Sequence, residues 1–411
     1  MLNTHFPPWP DFTEEEGEAV KRVLLSNRVN QWTGSEVRAF EAEFAEATDC
    51  RHAVAVANGT LALDLALNGL GIGAGDEVVV TPRSFIASAS CVVNAGAKPV
   101  FADVDRNSQN LTAHTIEQVL SPSTRAVIVV HLAGFPADMT AIMKLADTHG
   151  LVVIEDCAQA HGARLGNRSV GSLGHVAAWS FCQDKIMSTG GEGGMVTTND
   201  EALFRRMWSY KDHGKSWEAV HEREHPPGFR WLHDSIGTNW RLTEMQAAIG
   251  RIQLRRLDHW SSRRRHNAEQ IWKMCSGIDW LRVPSVPADV THAAYKAYVF
   301  IRAAQLPSGW SRDTVVAAFL DRDVPVYSGS CSEMYREGAF EEAGAVPAEP
   351  LPVARELGED SLMFLVHPTI DTAQISQVEA ALHAIDRQIK EACQQCGSES
   401  DALLVAEEGG E

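Results

Sequence analysis

Features that would assign a function class outright are missing from this chain. No stretch reaches the roughly eighteen consecutive apolar residues that cross a bilayer. The start, Met1-Leu-Asn-Thr-His-Phe6-Pro-Pro8, has neither the basic residues nor the apolar run of a secretory leader. Membrane spanning and secretion are not expected, and a cytoplasmic location is. Cations are scarce, 36 Lys and Arg against 54 acidic residues for a net charge of −18. A nucleic-acid surface needs the opposite balance, because phosphates are neutralised by concentrated positive charge. The one dense basic run, Arg255, Arg256, Arg263, Arg264 and Arg265, falls on a helical pattern and reads as a solvated face, with docking of a substrate phosphate as the rival reading. The eight cysteines lack framework spacing, so they read as reduced thiols. Cys393 and Cys396 form a C-x-x-C without a second pair or flanking histidines, and no metal is expected.

What is present is enough chain for two domains: 411 residues, 45% of them hydrophobic. From about Arg51, short apolar runs alternate with helical patterns. Ala53 to Ala57, Glu77 to Thr81, Pro99 to Val104, Ala126 to Leu132, Leu151 to Asp156, Val176 to Phe181 and Gly194 to Thr198 read as strands. Leu61 to Leu70, Ser84 to Ala95, Thr115 to Leu120 and Asp138 to Gly150 read as helices. Nearly all-apolar strands alternating with helices imply an α/β domain, its seven-stranded sheet mainly parallel and covered on both faces. A helical pattern with apolar residues at 242, 245, 249, 252 and 257 leads out of it. The expected division is a large domain over 1–258, a smaller α+β domain over 259–390, and a disordered acidic tail over 391–411.

Two segments read as candidate binding chemistry. The first strand runs into Asn58-Gly59-Thr60 and a helix starts at once, so unpaired amides at Gly59 and Thr60 could cradle a phosphate; an ordinary N-capped helix is the rival. The run Gly69-Leu-Gly71-Ile-Gly73-Ala-Gly75 follows a helix and precedes a strand, the reverse of a dinucleotide fingerprint, so it reads as a helix stop. The strand Leu151-Val-Val-Ile-Glu155-Asp156 delivers two acids to a strand end, with Gln159 and His161 just beyond. Alternation sends Glu155 and Asp156 to opposite faces, so only one can face a given pocket.

Trp179-Ser180-Phe181 then leads to Lys185 and to Gly190, Gly191, Gly193 and Gly194, which free the backbone for a close approach. A phosphate cradle, a strand-end acid and a lysine ahead of a glycine loop are together what pyridoxal 5'-phosphate requires. Lys185 would bond its carbonyl carbon, Asp156 would keep the pyridine nitrogen protonated, Gln159 would meet a ring oxygen, and Gly59, Thr60 and Ser180 would hold the phosphate. Phe85 could stack on the ring or simply pack in the core. His161 could be a packing residue or a catalytic one.

The chain resembles the DegT/DnrJ/StrS family of pyridoxal-phosphate-dependent sugar aminotransferases. The resemblance is carried by Asn58-Gly59-Thr60-Leu61, Ser84-Phe85, Phe101-Ala-Asp103-Val-Asp105, Glu155-Asp156-Cys-Ala-Gln159-Ala-His161-Gly162, Ser180-Phe181 with Lys185, Gly191-Glu-Gly-Gly194, and Gly237-Thr-Asn239-Trp-Arg241-Leu-Thr-Glu244. It implies the fold-type I aminotransferase architecture, with Lys185 as the cofactor lysine and pyridoxamine phosphate as the intermediate form. It also implies contacts to the ring from Asp156 and Gln159 and to the phosphate from Thr60 and Ser180. Asn239 takes the position that reaches the phosphate of a partner subunit, so a homodimer with sites at the interface is implied. The expected activity moves an amino group from an amino acid, glutamate foremost, to a keto group of a nucleotide-linked sugar. The implied setting is aminosugar, polysaccharide or glycosylated natural-product biosynthesis. Two alternatives are a sugar dehydratase, whose branch carries histidine at the lysine position, and a non-catalytic regulatory protein that keeps the fold. The family's small-domain substrate residues have no clear counterpart in Val326-Tyr-Ser-Gly329-Ser-Cys331.

Overall fold

A computed structural model describes residues 5–408, with side chains described as far as Gln395. The large sheet has seven strands: β1 His52–Val56, β2 Glu77–Val80, β3 Lys98–Phe101, β4 Thr124–Val130, β5 Val152–Asp156, β6 Val176–Ser180 and β7 Gly194–Thr198. Their order across the sheet is β1-β7-β6-β5-β4-β2-β3. Only β7 runs antiparallel to its neighbours; every other pair is parallel. The carboxyl ends of β1, β2, β4, β5 and β6 therefore share one edge, where an open α/β sheet binds ligands. Alternate residues supply the two covered faces. Val54, Val56, Val78, Val80, Ile128 and Ile154 pack in one apolar core with the helices Gly59–Leu70, Ala87–Asn94 and Glu201–Tyr210. On the other face, Ala53, Ala55, Trp179 and Met195 join one core and Val79, Val127, Val129 and Val153 another.

The smaller sheet has four antiparallel strands, Leu281–Arg282, Ala297–Ile301, Ser361–Phe364 and Val326–Tyr327. A 32-residue helix, Glu244–Cys275, runs between the two regions and through the expected boundary at 258. Thr243 and Gln246 close its start with a capping box, which satisfies amides that would otherwise lack partners. The basic run on this helix is only in part a solvated face. Arg255 and Arg256 pair with Glu15 and Glu16 of the Glu14–Leu25 helix, and Arg264 is fully buried. The last helix runs Thr372–Glu408 and so enters the expected tail, whose residues 409–411 lie outside the described ones. Its final third, Gly397 to Glu408, mixes the strong helix formers Ala, Glu and Leu with Gly, Ser and Asp, which are poor ones. The seven cysteines with described side chains are all free thiols, and no helix among the described residues is long and apolar enough to cross a membrane.

The two acids of β5 part as the alternation requires. Glu155 is fully buried on the face away from the ligand edge, where its Oε1 accepts the amides of Leu173 and Gly174 at 2.8 and 2.6 Å. Its Oε2 accepts the Gly171 amide at 2.8 Å and lies 2.9 Å from His131 Nε2. Because His131 Nδ1 accepts the Ala137 amide, the ring proton sits on Nε2 and donates to Glu155. His131, Glu155 and Cys157 are clustered closely enough to suggest metal ligands, but the carboxylate is already saturated by donors. Burial penalises the Glu155 charge, yet His131 and the backbone amides outweigh it and hold its pKa below the ordinary 4.5. The stabilisation is thus fully present above about 4.5 and is lost as pH falls through the lower folded value. Glu155→Ala strands these buried donors and should cost about 3–5 kcal/mol, read as a lower urea midpoint at pH 7.

Candidate active site

A cavity of about 1210 Å³ opens at the carboxyl edge of the large sheet. Its inner wall comes from the ends of β1, β5 and β6 and the loop after β2; its outer wall comes from Tyr295, Lys296, Tyr327, Gly329 to Cys331, Met363 and Leu365. At the end of β1, Asn58 caps the Gly59–Leu70 helix, its Oδ1 accepting the Leu61 amide at 2.9 Å. The amides of Gly59 and Thr60 precede any intrahelical acceptor and border the cavity. Beside them, Ser180 Oγ accepts the Cys182 amide at 3.3 Å and keeps its own proton to donate. Amides and a hydroxyl converging at a helix start form a phosphate-type cradle. Only glycine fits at 59, since a Cβ there would lie 2.5 Å from Ser180 Cβ.

Asp156, at the end of β5, is the buried acid of this wall. Ser88 Oγ donates to its Oδ2 at 2.7 Å and the Ala158 amide to its Oδ1 at 3.1 Å, which fixes the carboxylate's direction. Gln159 Oε1 accepts the Ala133 amide at 2.8 Å, so Nε2 remains as a donor. Phe85 is 65% exposed and borders the cavity, which excludes the core-packing reading. Lys185 ends a turn in which its amide donates to Cys182 O at 3.1 Å. Its carbonyl accepts the Trp9 indole N–H at 2.8 Å, and its ammonium lies 5.4 Å from the centre of the Tyr295 ring. A carboxylate, an amide donor, an amine, an exposed ring and an anion cradle thus face one space, and together they fit a phosphorylated aromatic aldehyde.

Gly59, Thr60, Phe85, Asp156, Gln159, Ser180 and Lys185 all line this cavity. Asn239 does not; it lies exposed on the loop before the long helix, bridged through its backbone to Asp212. The glycines after Lys185 serve a different purpose from the expected one. A Cβ at Gly193 would lie 2.0 Å from Thr189 Oγ1 and one at Gly194 2.3 Å from Asn58 O, so these residues let the chain pack against itself behind the cradle. His161 proves to be a packing residue. It is buried among Phe44, Trp179 and Phe181, has no hydrogen bond among the described residues, and is pushed by burial down to about 3.

Sequence reasoning missed Ser88, Asp184, Tyr295 and Lys296. Tyr295 OH donates to Asp184. Burial opposes the Asp184 charge, but Lys185 and that hydroxyl hold its pKa below the ordinary 3.8. Ser88 lies on a helix one turn past Ser84, a spacing that could have placed it over the strand ends. Nothing in the local pattern around Tyr295 sets it near Lys185, 110 positions earlier.

Residues 10–383 match the profile of the DegT/DnrJ/EryC1/StrS aminotransferase family. The chain is 37% identical to a UDP-N-acetyl-3-dehydro-alpha-D-glucosamine 3-aminotransferase of Acidithiobacillus ferrooxidans, over 93% of this chain and 95% of the relative. It is 41% identical to a dTDP-3-amino-3,4,6-trideoxy-alpha-D-glucose transaminase of Streptomyces venezuelae, over 68% and 70%. Among solved structures, an aminotransferase from Psychrobacter cryohalolentis superposes with a TM-score of 0.93 at 57% identity, covering 94% of this chain and all of that one.

The closeness of Gly59 to Ser180 can be tested directly. Gly59→Ala should force the helix start off the β6 end and lower stability by about 1–3 kcal/mol, read from the urea midpoint.

Proposed function

Because the chain belongs to the DegT/DnrJ/EryC1/StrS aminotransferase family, we propose that it uses pyridoxal phosphate to move an amino group from an amino acid, glutamate foremost, to a ketone on a nucleotide-linked sugar. The observation that carries this reading is the convergence of Lys185, the Ser88-held Asp156, Gln159 and the Gly59-Thr60-Ser180 cradle on one cavity. When bound, pyridoxal phosphate supplies an aldehyde that takes up the amine and an electron-poor ring that withdraws the electron pair of the adjacent C–H bond. The residues of the chain do the rest. Asp156 offers its carboxylate to the ring N–H, and Gln159 Nε2 donates to the ring oxygen. Phe85 covers one ring face, and the amides of Gly59 and Thr60 with Ser180 Oγ grip the phosphate. Lys185 Nζ would hold the aldehyde carbon at rest; freed by the donor amine, it would take the Cα proton as a base and deliver it to the former aldehyde carbon on the other side of the nitrogen. A ketone substrate runs the same proton transfer in reverse.

The acceptor class rests on the relatives, whose names specify UDP- and dTDP-linked sugars. A cavity of about 1210 Å³ has room for a substrate of that size. The dehydratase reading expects histidine at position 185, where this chain has lysine. The regulatory reading requires no complete donor and acceptor set, and here the set is complete. Two chains are proposed to associate, because Phe229, Trp231 and Ile236 are 80%, 80% and 91% exposed on the loop that ends at Asn239. A second copy would cover that apolar surface and bring Asn239 toward the partner's phosphate. A cytoplasmic location is part of the same proposal.

Three measurements test this. Lys185→Ala should abolish both the visible absorbance of the cofactor-loaded protein and all amino transfer; survival of both would sink the assignment. Incubation with glutamate and a panel of 3-keto and 4-keto nucleotide sugars should consume glutamate in step with aminosugar detected by mass, whereas product without glutamate loss would point to dehydration. Sedimentation should give two chains per particle, and replacing Phe229 and Trp231 with Asp should give one.

A further inference from the structure

The cavity contains a second lysine that the cofactor does not call for. Lys296 stands one residue before the Ala297–Ile301 strand and lines the same space as Lys185. Its ammonium lies 4.8 Å from the centre of the Tyr295 ring, which the Lys185 ammonium approaches at 5.4 Å. The two cations therefore share one aromatic ring, and among the described residues neither has an ion pair or a hydrogen bond from its ammonium. A third cation stands behind them. Arg264 is fully buried and lies over the Trp9 ring; its Nη1 donates to Tyr295 O at 3.3 Å, while Nε and Nη2 have no hydrogen-bond partner among the described residues. Against these three charges stands one nearby carboxylate, Asp184, which accepts the Tyr295 hydroxyl. The other acids lining the cavity are Asp156, engaged by Ser88, and Glu192 and Glu337. A desolvated ammonium without a counter-charge is costly unless a ligand brings one.

We propose that Lys296 is the residue of this cavity that binds a substrate's anionic group, either the carboxylate of the amino donor or the diphosphate of the nucleotide sugar. The proposal rests on the aminotransferase reading and deepens it by assigning specificity to a small-domain residue. Burial, reinforced by Arg264 and Lys185 and only partly offset by Asp184, pulls the Lys296 ammonium from 10.5 down to about 8. Anion binding should therefore weaken as pH rises through about 8, where the free ammonium loses its proton. Lys296→Met keeps the length of the side chain and removes the charge; Lys296→Arg restores the charge.

The test uses full-length, cofactor-loaded protein and two probes. Glutamate is followed in single turnover by the change in visible absorbance, and UDP is followed by calorimetry. Lys296→Met should raise the half-saturating concentration of one probe about tenfold or more, with Lys296→Arg recovering most of it. A shift confined to glutamate assigns the donor carboxylate, and a shift confined to UDP assigns the diphosphate. Unmodified protein should bind that same probe more weakly at pH about 9 than at about 7, and the Met variant should lose this slope. Changes under about threefold for both probes, with no pH slope in the unmodified protein, overturn the proposal. If unmodified protein carries the visible absorbance but does not react with glutamate, the aminotransferase reading itself falls; normal reaction with an indifferent Met variant removes Lys296 alone.

Discussion

The site depends on a single alternation. At the end of β5, consecutive acids must point to opposite faces of the sheet, and each has a different task. Glu155 turns away from the ligand edge and ties Gly171, Leu173 and Gly174 to His131. That fixes the chain that leads into β6, hence the position of Ser180 beside Gly59. Asp156 turns toward the cavity and is aimed by Ser88 and the Ala158 amide. A one-residue slip in β5 would exchange the two acids and destroy both arrangements at once.

How much of this was legible in the sequence follows from the range of the interactions. The seven strands and the residues at their ends were readable because each is set by local pattern and by the rule that parallel strands present their carboxyl ends together. Gly59, Thr60, Asp156, Gln159, Ser180 and Lys185 all lie within a few residues of such an end. Phe85 was ambiguous because an aromatic after a strand can pack inward or face a ligand, and only its exposure decides. Tyr295 and Lys296 were not legible, since their place beside Lys185 depends on how the segment before the Ala297–Ile301 strand packs against the large sheet. The glycine loop misled for a related reason: glycine signals close approach but does not name the neighbour, which here is Asn58 and Thr189. The basic run was partly misread in the same way. Charge on a helix suggests solvent, and only the packing of the Glu14–Leu25 helix and of Trp9 against it shows otherwise.

Electrostatically the cavity is divided. Its sheet-edge side offers donors and one aligned carboxylate, a finished set for one group. Around Tyr295, Lys185 from the sheet edge meets Lys296 and Arg264 from the opposite side, with Asp184 as the one carboxylate beside them. The contrast separates a part of the pocket that is complete within the chain from a part that is completed by a ligand.

That division also follows the chain. Apart from Asn239, proposed to serve the partner's site, the residues proposed to hold and activate the cofactor lie between Gly59 and Lys185, whereas the opposite wall is drawn from Tyr295 to Leu365, and the Glu244–Cys275 helix joins the two regions. Substitutions on the later wall would leave unchanged the residues proposed to act on the cofactor. On the proposed reading, such a layout would let the admitted substrate change while the reaction stays the same, because each wall of the cavity can vary separately.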